Sequence, residues 1–229
     1  MNSRLEKTLT ALLSFSALVI SGIVMHQTFF VGARARMPPA SQPEFIESWE
    51  DLRSIGIPVL GVPNAPVKLV TILDPECSVC ADFFPAVREM VEENTNEVEW
   101  FVVNHPLKYH RFSLPASRAA ECALDLDAFV PWMQAVFDKQ DSLGLRSWGA
   151  YAADAGIPDS SLIHDCAVNP SSVERLDAAL EFGDRISLHG TPTVILNGWR
   201  YPQTPSIEAL KAAVDSALVG KEGLALGLR

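Results

Sequence analysis

Apolar residues first accumulate near the N-terminus, in a segment without charge. From Thr8 to Ala33 the chain has no Lys, Arg, Asp or Glu, a run of 26 residues. About 20 apolar residues at 1.5 Å each span the hydrocarbon core of a bilayer, so the run predicts a membrane-spanning helix within residues 1–34. A secretory signal cleaved at the small-x-small motif ARA of residues 33–35, or a buried core helix, are the alternatives.

The next strongly apolar runs have the length of strands and lie on either side of a helical segment. VKLVTILD and VEWFVVNHP are continuous and rich in β-branched residues, which is typical of strands buried on both faces. Between them, residues from Cys77 to about Glu93 are predicted to form a helix that Pro85 kinks. A strand, a helix and a strand in this order predict two parallel strands joined by a right-handed crossover.

Helical periodicity then continues through a long segment before strand patterns return. Residues from about 114 to 186 divide into four helical pieces, of which PASRAAECALDLDAFVPWMQAVFDKQ is the first. TPTVILNG and WRYPQ predict a hairpin around Asn197-Gly198, followed by an amphipathic helix capped by Ser206. The pattern predicts an α/β fold, in which a mixed sheet carries an inserted all-helical subdomain.

The segment between the apolar N-terminus and the first buried strand has a different character. RARMPPASQPEF is Pro-rich and aperiodic, as in a tether. FIESWEDLRSIG predicts a short helix, and IPVLGVPNAP is rich in turn residues. We therefore assign residues 35–64 to a tether and N-terminal extension, residues 65–220 to the folded domain, and residues 221–229 to a tail.

The folded part of the chain is strongly acidic. The whole sequence has a net charge of −10, with 18 Lys and Arg residues against 28 Asp and Glu residues. Residues 1–36 contribute +3, from four basic residues and one acidic residue, so the remainder carries −13. An acidic body repels phosphate backbones, and we expect no nucleic-acid partner.

Two of the four cysteines, Cys77 and Cys80, lie three residues apart at the predicted start of a helix. Unpaired N–H groups and the positive end of the helix dipole favour the Cys77 thiolate, and Cys80, one turn later, can close a disulfide with it. A zinc site needs two further ligands, whereas Cys122 and Cys166 stand alone, 44 residues apart. A redox pair is therefore favoured over a metal site or two inert packed thiols, and we expect no metal.

A second motif, HGTPTVILNG, places Thr191-Pro192 directly before a predicted strand. Proline enters a strand only at its first residue or at an edge, and a cis bond there is a purposeful feature. It would leave the Thr191 backbone free to pair with an extended substrate chain. A trans proline that simply begins the strand is the alternative.

From about Ala65 to Leu218 the sequence resembles the thioredoxin superfamily, and within it the DsbA-like disulfide oxidoreductases with a helical insertion. The stretches that carry the resemblance are NAPVKLVTILDPECSVCADF, HPLKYHRFSLPASRAAECA and GTPTVILNG, in this order. The resemblance implies a thioredoxin-like mixed sheet interrupted by the insertion at about 114–186.

The resemblance also implies roles for the two motifs. Cys77 would be the attacking thiolate, Cys80 the resolving thiol, and Pro192, preceded by Thr191, the cis-proline of the family. The dithiol itself carries the two electrons, so we expect no cofactor. Protein thiols or disulfides are the expected substrates, and a separate redox protein must reset the pair.

The sequence departs from the family pattern near the thiols. Thr71 occupies the strand position where thioredoxin-like proteins commonly bury a carboxylate, so Asp74, Glu76 or water would have to accept the proton of the resolving thiol. The two residues between the cysteines, Ser-Val, supply no imidazolium. The negative charge of Glu76 beside the first cysteine disfavours its thiolate. We therefore expect a reduction potential below that of strong oxidants.

One histidine is a candidate modulator of the pair. His189 lies three residues before Pro192 and could offset Glu76 near the sulfurs, with a surface or packing role as the alternative. The other histidines of the body have no partner at metal-ligand spacing and are interpreted as structural: His105, His110 and His164.

The remaining cysteines, Cys122 and Cys166, both fall on predicted helices of the insertion. In an oxidising compartment a bridge between them would staple the insertion. Two buried thiols are the alternative.

The sequence as a whole predicts a membrane-tethered thiol–disulfide oxidoreductase, a single-pass protein whose catalytic domain lies on the extracytoplasmic side, periplasmic or outer. This orientation is inferred from the thiol chemistry, which needs an oxidising compartment. The flanking charges do not indicate an orientation, because Arg4 and Lys7 before the apolar run balance Arg34 and Arg36 after it. A redox-inactive thioredoxin-like module that binds partners or acts as a chaperone is the alternative function.

Overall fold

The computed structural model describes residues 15–22, 25, 42–169 and 173–220. The chain divides into two units, Met1–Ser41 and Gln42–Arg229. In the first unit, residues 15–22 are helical and exposed. The described residues include no helix with both the length and the apolar character needed to cross a membrane. The rest of the predicted N-terminal helix, the motif at 33–35 and the 221–229 tail lie outside the described residues.

The described residues of the second unit contain six strands in one mixed sheet. The strands are β1 (Glu44–Phe45), β2 (Ile57–Leu60), β3 (Val67–Leu73), β4 (Val98–Asn104), β5 (Thr193–Leu196) and β6 (Trp199–Arg200). Their order across the sheet is β1-β6-β5-β3-β4-β2. The two central apolar runs, β3 and β4, pair in parallel from Val67 opposite Val98 to Leu73 opposite Asn104, whereas β5 pairs antiparallel with β3. The predicted mixed α/β sheet is confirmed.

The helices of this unit are α1 (Asp51–Ile55), α2 (Ser78–Glu92), α3 (Ser113–Leu124), α4 (Phe129–Asp138), α5 (Trp148–Asp154), α6 (Ser160–Val168), α7 (Glu174–Arg185) and α8 (Ile207–Leu218). As predicted, α2 connects β3 to β4, and it continues past Pro85. The prediction of one helix at the start of the insertion is wrong. A turn separates α3 from α4, because Asp127 has a positive φ of 54° that a right-handed helix does not accommodate.

The segment before β3 contributes both edges of the sheet. Residues 57–60, predicted to be turn-rich, instead form β2, which pairs antiparallel with β4. Pro58 is compatible with this position because an edge strand leaves one side of its backbone unpaired. At the opposite edge β1 pairs with β6. Residues 44–60, assigned from sequence to the N-terminal extension, therefore supply two strands and α1.

The hairpin and the last helix form where the sequence predicts them. Asn197 and Gly198 join β5 to β6 with positive φ values of 46° and 87°, as a two-residue type I′ turn requires. Ser206 caps α8 by accepting a hydrogen bond from the Ala209 N–H.

Two apolar clusters pack on the two faces of the sheet. Alternate residues of β3 belong to different clusters, with Leu69 in one and Val70 in the other. The larger cluster joins α2, the inserted helices α3 to α6, and α8 to the sheet around buried residues such as Phe84 and Trp132. The smaller cluster covers the other face and includes Phe182 of α7. The C-terminal end of β3, which leads into the first cysteine, is thus held between two packed layers.

Candidate active site

Cys77 lies at the junction between β3 and α2. It is the N-cap residue of α2, with an extended backbone (φ −80°, ψ 118°), and its N–H donates to the Asp74 carbonyl at 3.0 Å. Its own carbonyl accepts from the Ala81 N–H at 3.1 Å, which begins the helical hydrogen bonding. The unpaired N–H groups of the first helical turn are therefore available to the Cys77 sulfur, whose residue is 9% exposed.

The surroundings of Cys77 favour its thiolate. Its pKa is lowered from 9.0 to about 5, chiefly by a hydrogen bond from the Cys80 thiol and against an opposing effect of burial. The Thr191 side chain and the backbone N–H groups of Cys80 and Val79 lower the pKa further. The direction is opposite to the one expected from the charge of Glu76. At neutral pH the sulfur is therefore a nucleophile.

Cys80 has the opposite character. It is fully buried, and burial, reinforced by the neighbouring Cys77 sulfur, raises its pKa well above the usual value. Both cysteines are free thiols in the structure. The pair thus combines a slightly exposed sulfur that favours the thiolate with a fully buried sulfur that favours the thiol.

Thr191 and Pro192, distant in sequence, lie beside this sulfur. Cys77 Sγ lies 3.2 Å from the Thr191 carbonyl oxygen, to which the protonated thiol donates, and the Thr191-Pro192 peptide bond is cis. The Thr191 hydroxyl is buried without a hydrogen-bond partner of normal geometry among the described residues, yet it is near enough to both sulfurs to lower their pKa values. The structure thus brings both sequence motifs together at one place.

The two candidate modulators lie in different surroundings. The Glu76 carboxylate accepts a hydrogen bond from the Phe112 N–H, and Glu76 is not among the groups that most affect the pKa of Cys77. His189 is exposed, and the groups that most affect the pKa of Cys77 do not include it.

A glutamine of the insertion also contacts the active-site turn, and the sequence analysis missed it. Gln140, in a short 3₁₀ turn after α4, donates its side-chain amide to the Pro75 carbonyl at 2.9 Å and to the Cys77 carbonyl at 3.0 Å. It thereby connects the insertion to the nucleophile. No local motif marks this residue, because its role depends on a contact across 63 residues of sequence.

Cys122 of α3 and Cys166 of α6 are joined by a disulfide with a sulfur–sulfur distance of 2.04 Å. The bond links two helices of the insertion. Within the part of the chain that the structure describes, no cluster of three or more His, Cys, Asp or Glu side chains could hold a metal ion.

Curated relatives of this chain are longer proteins. The Na(+)/H(+) antiporter NhaA 1 of Salinispora arenicola is 31% identical over 195 residues, which are 81% of this chain but 30% of that protein. The chain thus spans less than a third of the length of this relative.

Solved structures similar to this chain include BdbD and a DsbA protein. Oxidised BdbD from Bacillus subtilis is 21% identical with a TM-score of 0.62, over 79% of this chain and 98% of that one. The thiol-disulfide exchange protein alpha-DsbA2 from Wolbachia pipientis is 16% identical with a TM-score of 0.59, over 73% of this chain and 92% of that one. At these identities the likeness shows a shared fold, and the DsbA-like resemblance is confirmed at that level.

The family comparison covers most of the folded unit. A family model described as Thioredoxin matches residues 54–216, which is well over half of the chain and includes both cysteines of the pair and Pro192. With the mixed sheet, the cysteine pair at a helix start and the neighbouring proline-led strand, this match shows that the chain belongs to the thioredoxin family.

Proposed function

We propose that this chain is a protein thiol–disulfide oxidoreductase that exchanges disulfides through the Cys77-Ser-Val-Cys80 pair. The proposal rests on the contrast between the thiols of Cys77 and Cys80. The Cys77 thiol has a pKa of about 5 and lies 3.2 Å from the Thr191 carbonyl. Cys80 is buried and its pKa is raised. One sulfur is suited to attack and to leave, and the other is protected until a mixed disulfide forms.

The exchange follows from these properties. In the oxidised pair, a substrate thiolate attacks Cys77, the Cys77–Cys80 bond breaks, and Cys80 leaves and takes a proton. A second substrate thiolate then attacks the substrate sulfur of the mixed disulfide and releases Cys77 as a thiolate. Because a low pKa makes Cys77 a good leaving group, transfer of the disulfide to substrates is the favoured direction.

The strength of this oxidant follows from the pKa of the nucleophile. A pKa of about 5 for Cys77 lies between roughly 7 in thioredoxin and roughly 3.5 in DsbA. We therefore place the reduction potential between roughly −270 and −120 mV, the values of those two proteins. This range agrees with the expectation from the sequence of a weaker oxidant than DsbA. The reason is the pKa of Cys77 and not the charge of Glu76.

Thr191 and Pro192 form the substrate-binding part of the site in this proposal. The Thr191 carbonyl already contacts the Cys77 sulfur, and Pro192 directly precedes β5. An extended substrate chain that pairs with the Thr191 backbone would place its cysteine beside Cys77.

We further propose that the catalytic unit is extracytoplasmic and anchored by the N-terminal apolar run. The Cys122–Cys166 disulfide supports an oxidising compartment. The charge-free run from Thr8 to Ala33 is long enough to cross a bilayer. A longer protein named as a Na(+)/H(+) antiporter matches this chain over 195 residues, which supports a location at a membrane. Membrane fractionation, combined with labelling of reduced Cys77 by a membrane-impermeant reagent on intact cells, tests both parts.

Cysteine substitutions separate this function from an inert binding module. In insulin reduction and in oxidation of a reduced, unfolded protein, Cys77→Ser should abolish activity, because no nucleophile remains. Cys80→Ser should stop the reaction at the mixed disulfide. Partner binding that survives in Cys77→Ser, together with no thiol exchange by the wild-type protein, would instead support the binding module. Wild-type activity in Cys77→Ser would refute the role of Cys77 as the nucleophile.

A further inference from the structure

The resolving thiol needs a proton acceptor, and the usual strand position does not supply one. Cys80 is fully buried, so the protein must provide a route for its proton when this sulfur attacks. Thr71 is buried on β3, and its hydroxyl accepts a hydrogen bond from the Trp100 indole at 2.9 Å. A hydroxyl group of this kind is not a base at neutral pH. The proton therefore has to leave by another group.

Asp74 is the buried acid next to the cysteine pair. Its side chain is 0% exposed, and its carbonyl accepts from the Cys77 N–H at 3.0 Å. A backbone hydrogen bond from Asp74 to the Cys80 sulfur opposes the rise in the pKa of Cys80. The other buried acids of the described residues, Glu99 and Glu121, form salt bridges with basic side chains elsewhere.

A histidine connects this buried carboxylate to the surface. Asp74 Oδ2 accepts from the Leu107 N–H at 2.7 Å and lies 2.9 Å from His110 Nδ1. The other oxygen, Oδ1, accepts from the Glu76 N–H at 2.7 Å. The His110 side chain is 22% exposed, so it can exchange protons with water. The Asp74 carboxylate is thus bonded to the active-site turn through the Glu76 N–H and to a partly exposed imidazole through Oδ2.

The charged groups around Asp74 and His110 leave the hydrogen bond between these two side chains intact. Their charged or titratable neighbours are Lys108, Tyr109 and Arg111 on the loop of the histidine, buried His105, and Glu76 of the active-site turn. The Glu76 carboxylate is bound to the Phe112 N–H and does not compete for the imidazole. Among the described residues, Asp74 is the acid that forms a salt bridge with His110.

We propose that Asp74 and His110 together accept the Cys80 proton, a step that rests on the redox function proposed above. When Cys80 resolves a mixed disulfide, the reverse of the transfer favoured above, its proton passes to Asp74 and His110, directly or across one water molecule, and the Cys80 sulfur attacks Cys77 Sγ. The bond between Cys77 and the substrate sulfur breaks, and the substrate leaves as a thiolate that takes a proton from water. The two protein thiols are oxidised to a disulfide, the substrate disulfide is reduced, and His110 returns the proton to solvent.

The reaction of the reduced protein with DTNB separates the two steps. The first thionitrobenzoate is released when Cys77 attacks the reagent, and the second when Cys80 resolves the mixed disulfide. His110→Gln keeps a donor for Asp74 but cannot carry the proton, so the second release should slow by about tenfold or more at pH 7, whereas the first should stay within about threefold. His164→Gln, at an exposed histidine of α6, is the matched control and should change neither step.

Chemical rescue distinguishes proton transfer from a structural role. In His110→Ala, free imidazole should restore the slow second release, with a pH dependence between about pH 5 and 8. A second release at the wild-type rate in His110→Gln across this range would overturn the proposal, as would a slow release in His110→Ala that imidazole does not restore. A wild-type protein that releases no thionitrobenzoate would refute the redox function itself, a distinct result.

Discussion

The Cys77 thiol should make the stability of the reduced protein depend on pH. The pKa of Cys77 is 9.0 in the absence of the fold and about 5 within it. Because the folded pKa is the lower one, the thiolate stabilises the reduced fold fully above pH 9, and this contribution is lost as the pH falls through 5. By linkage it amounts to roughly 2.7 kcal/mol at pH 7 and roughly 0.4 kcal/mol at pH 5.

Urea unfolding of the reduced protein measures this effect. Wild-type protein and the Cys77→Ser variant are unfolded at pH 5, 6 and 7 in the presence of a reductant, and the difference between their free energies of unfolding cancels the titration of other groups. We expect this difference to fall by about 2 kcal/mol from pH 7 to pH 5. The oxidised protein, which has no thiolate, is the control and should lack this pH dependence. A difference that stays constant with pH would refute the assigned thiolate.

Three further predictions follow from the contacts of the pair and the insertion. Gln140→Ala removes two hydrogen bonds to the active-site turn and should lower the free energy of unfolding by about 1–3 kcal/mol in urea, whereas Gln134→Ala on α4, whose amide bonds exposed Asp138, should lower it by less; equal effects would contradict this. Replacing Cys122 and Cys166 by Ala should lower the free energy of unfolding by about 2–4 kcal/mol in urea; an unchanged midpoint would contradict this. Glutathione titration should give a potential between roughly −270 and −120 mV, and a value outside that range would be inconsistent with the assigned pKa.

Local sequence patterns were sufficient for the centre of the fold. The runs that form β3 and β4 are largely apolar on both faces because both faces are covered, and the charged Lys68 and Glu99 within them pair with each other. The cysteine pair follows at a helix start, where unpaired N–H groups are a general property of helices. Asn197-Gly198 marks its hairpin because both residues tolerate positive φ.

Contacts between distant segments could not be predicted in this way. The edge strand β2 contains Pro58 and lies between Gly56 and Gly61, and only its pairing with β4 makes it a strand. The effect of Glu76 was expected from its position beside Cys77, but its carboxylate is bound to Phe112, 36 residues away. His110 likewise lies 36 residues from Asp74, and its partner becomes visible only in the folded chain.

Capture of a mixed disulfide tests the central claim most directly. The Cys80→Ala variant retains the nucleophile but cannot resolve the intermediate. Incubated with a protein that contains an accessible disulfide, it should form a one-to-one adduct that mass spectrometry of peptides assigns to Cys77 and that a reductant releases. A Cys77 thiol that stays unmodified under these conditions, or an adduct through Cys122 or Cys166 instead, would contradict the account.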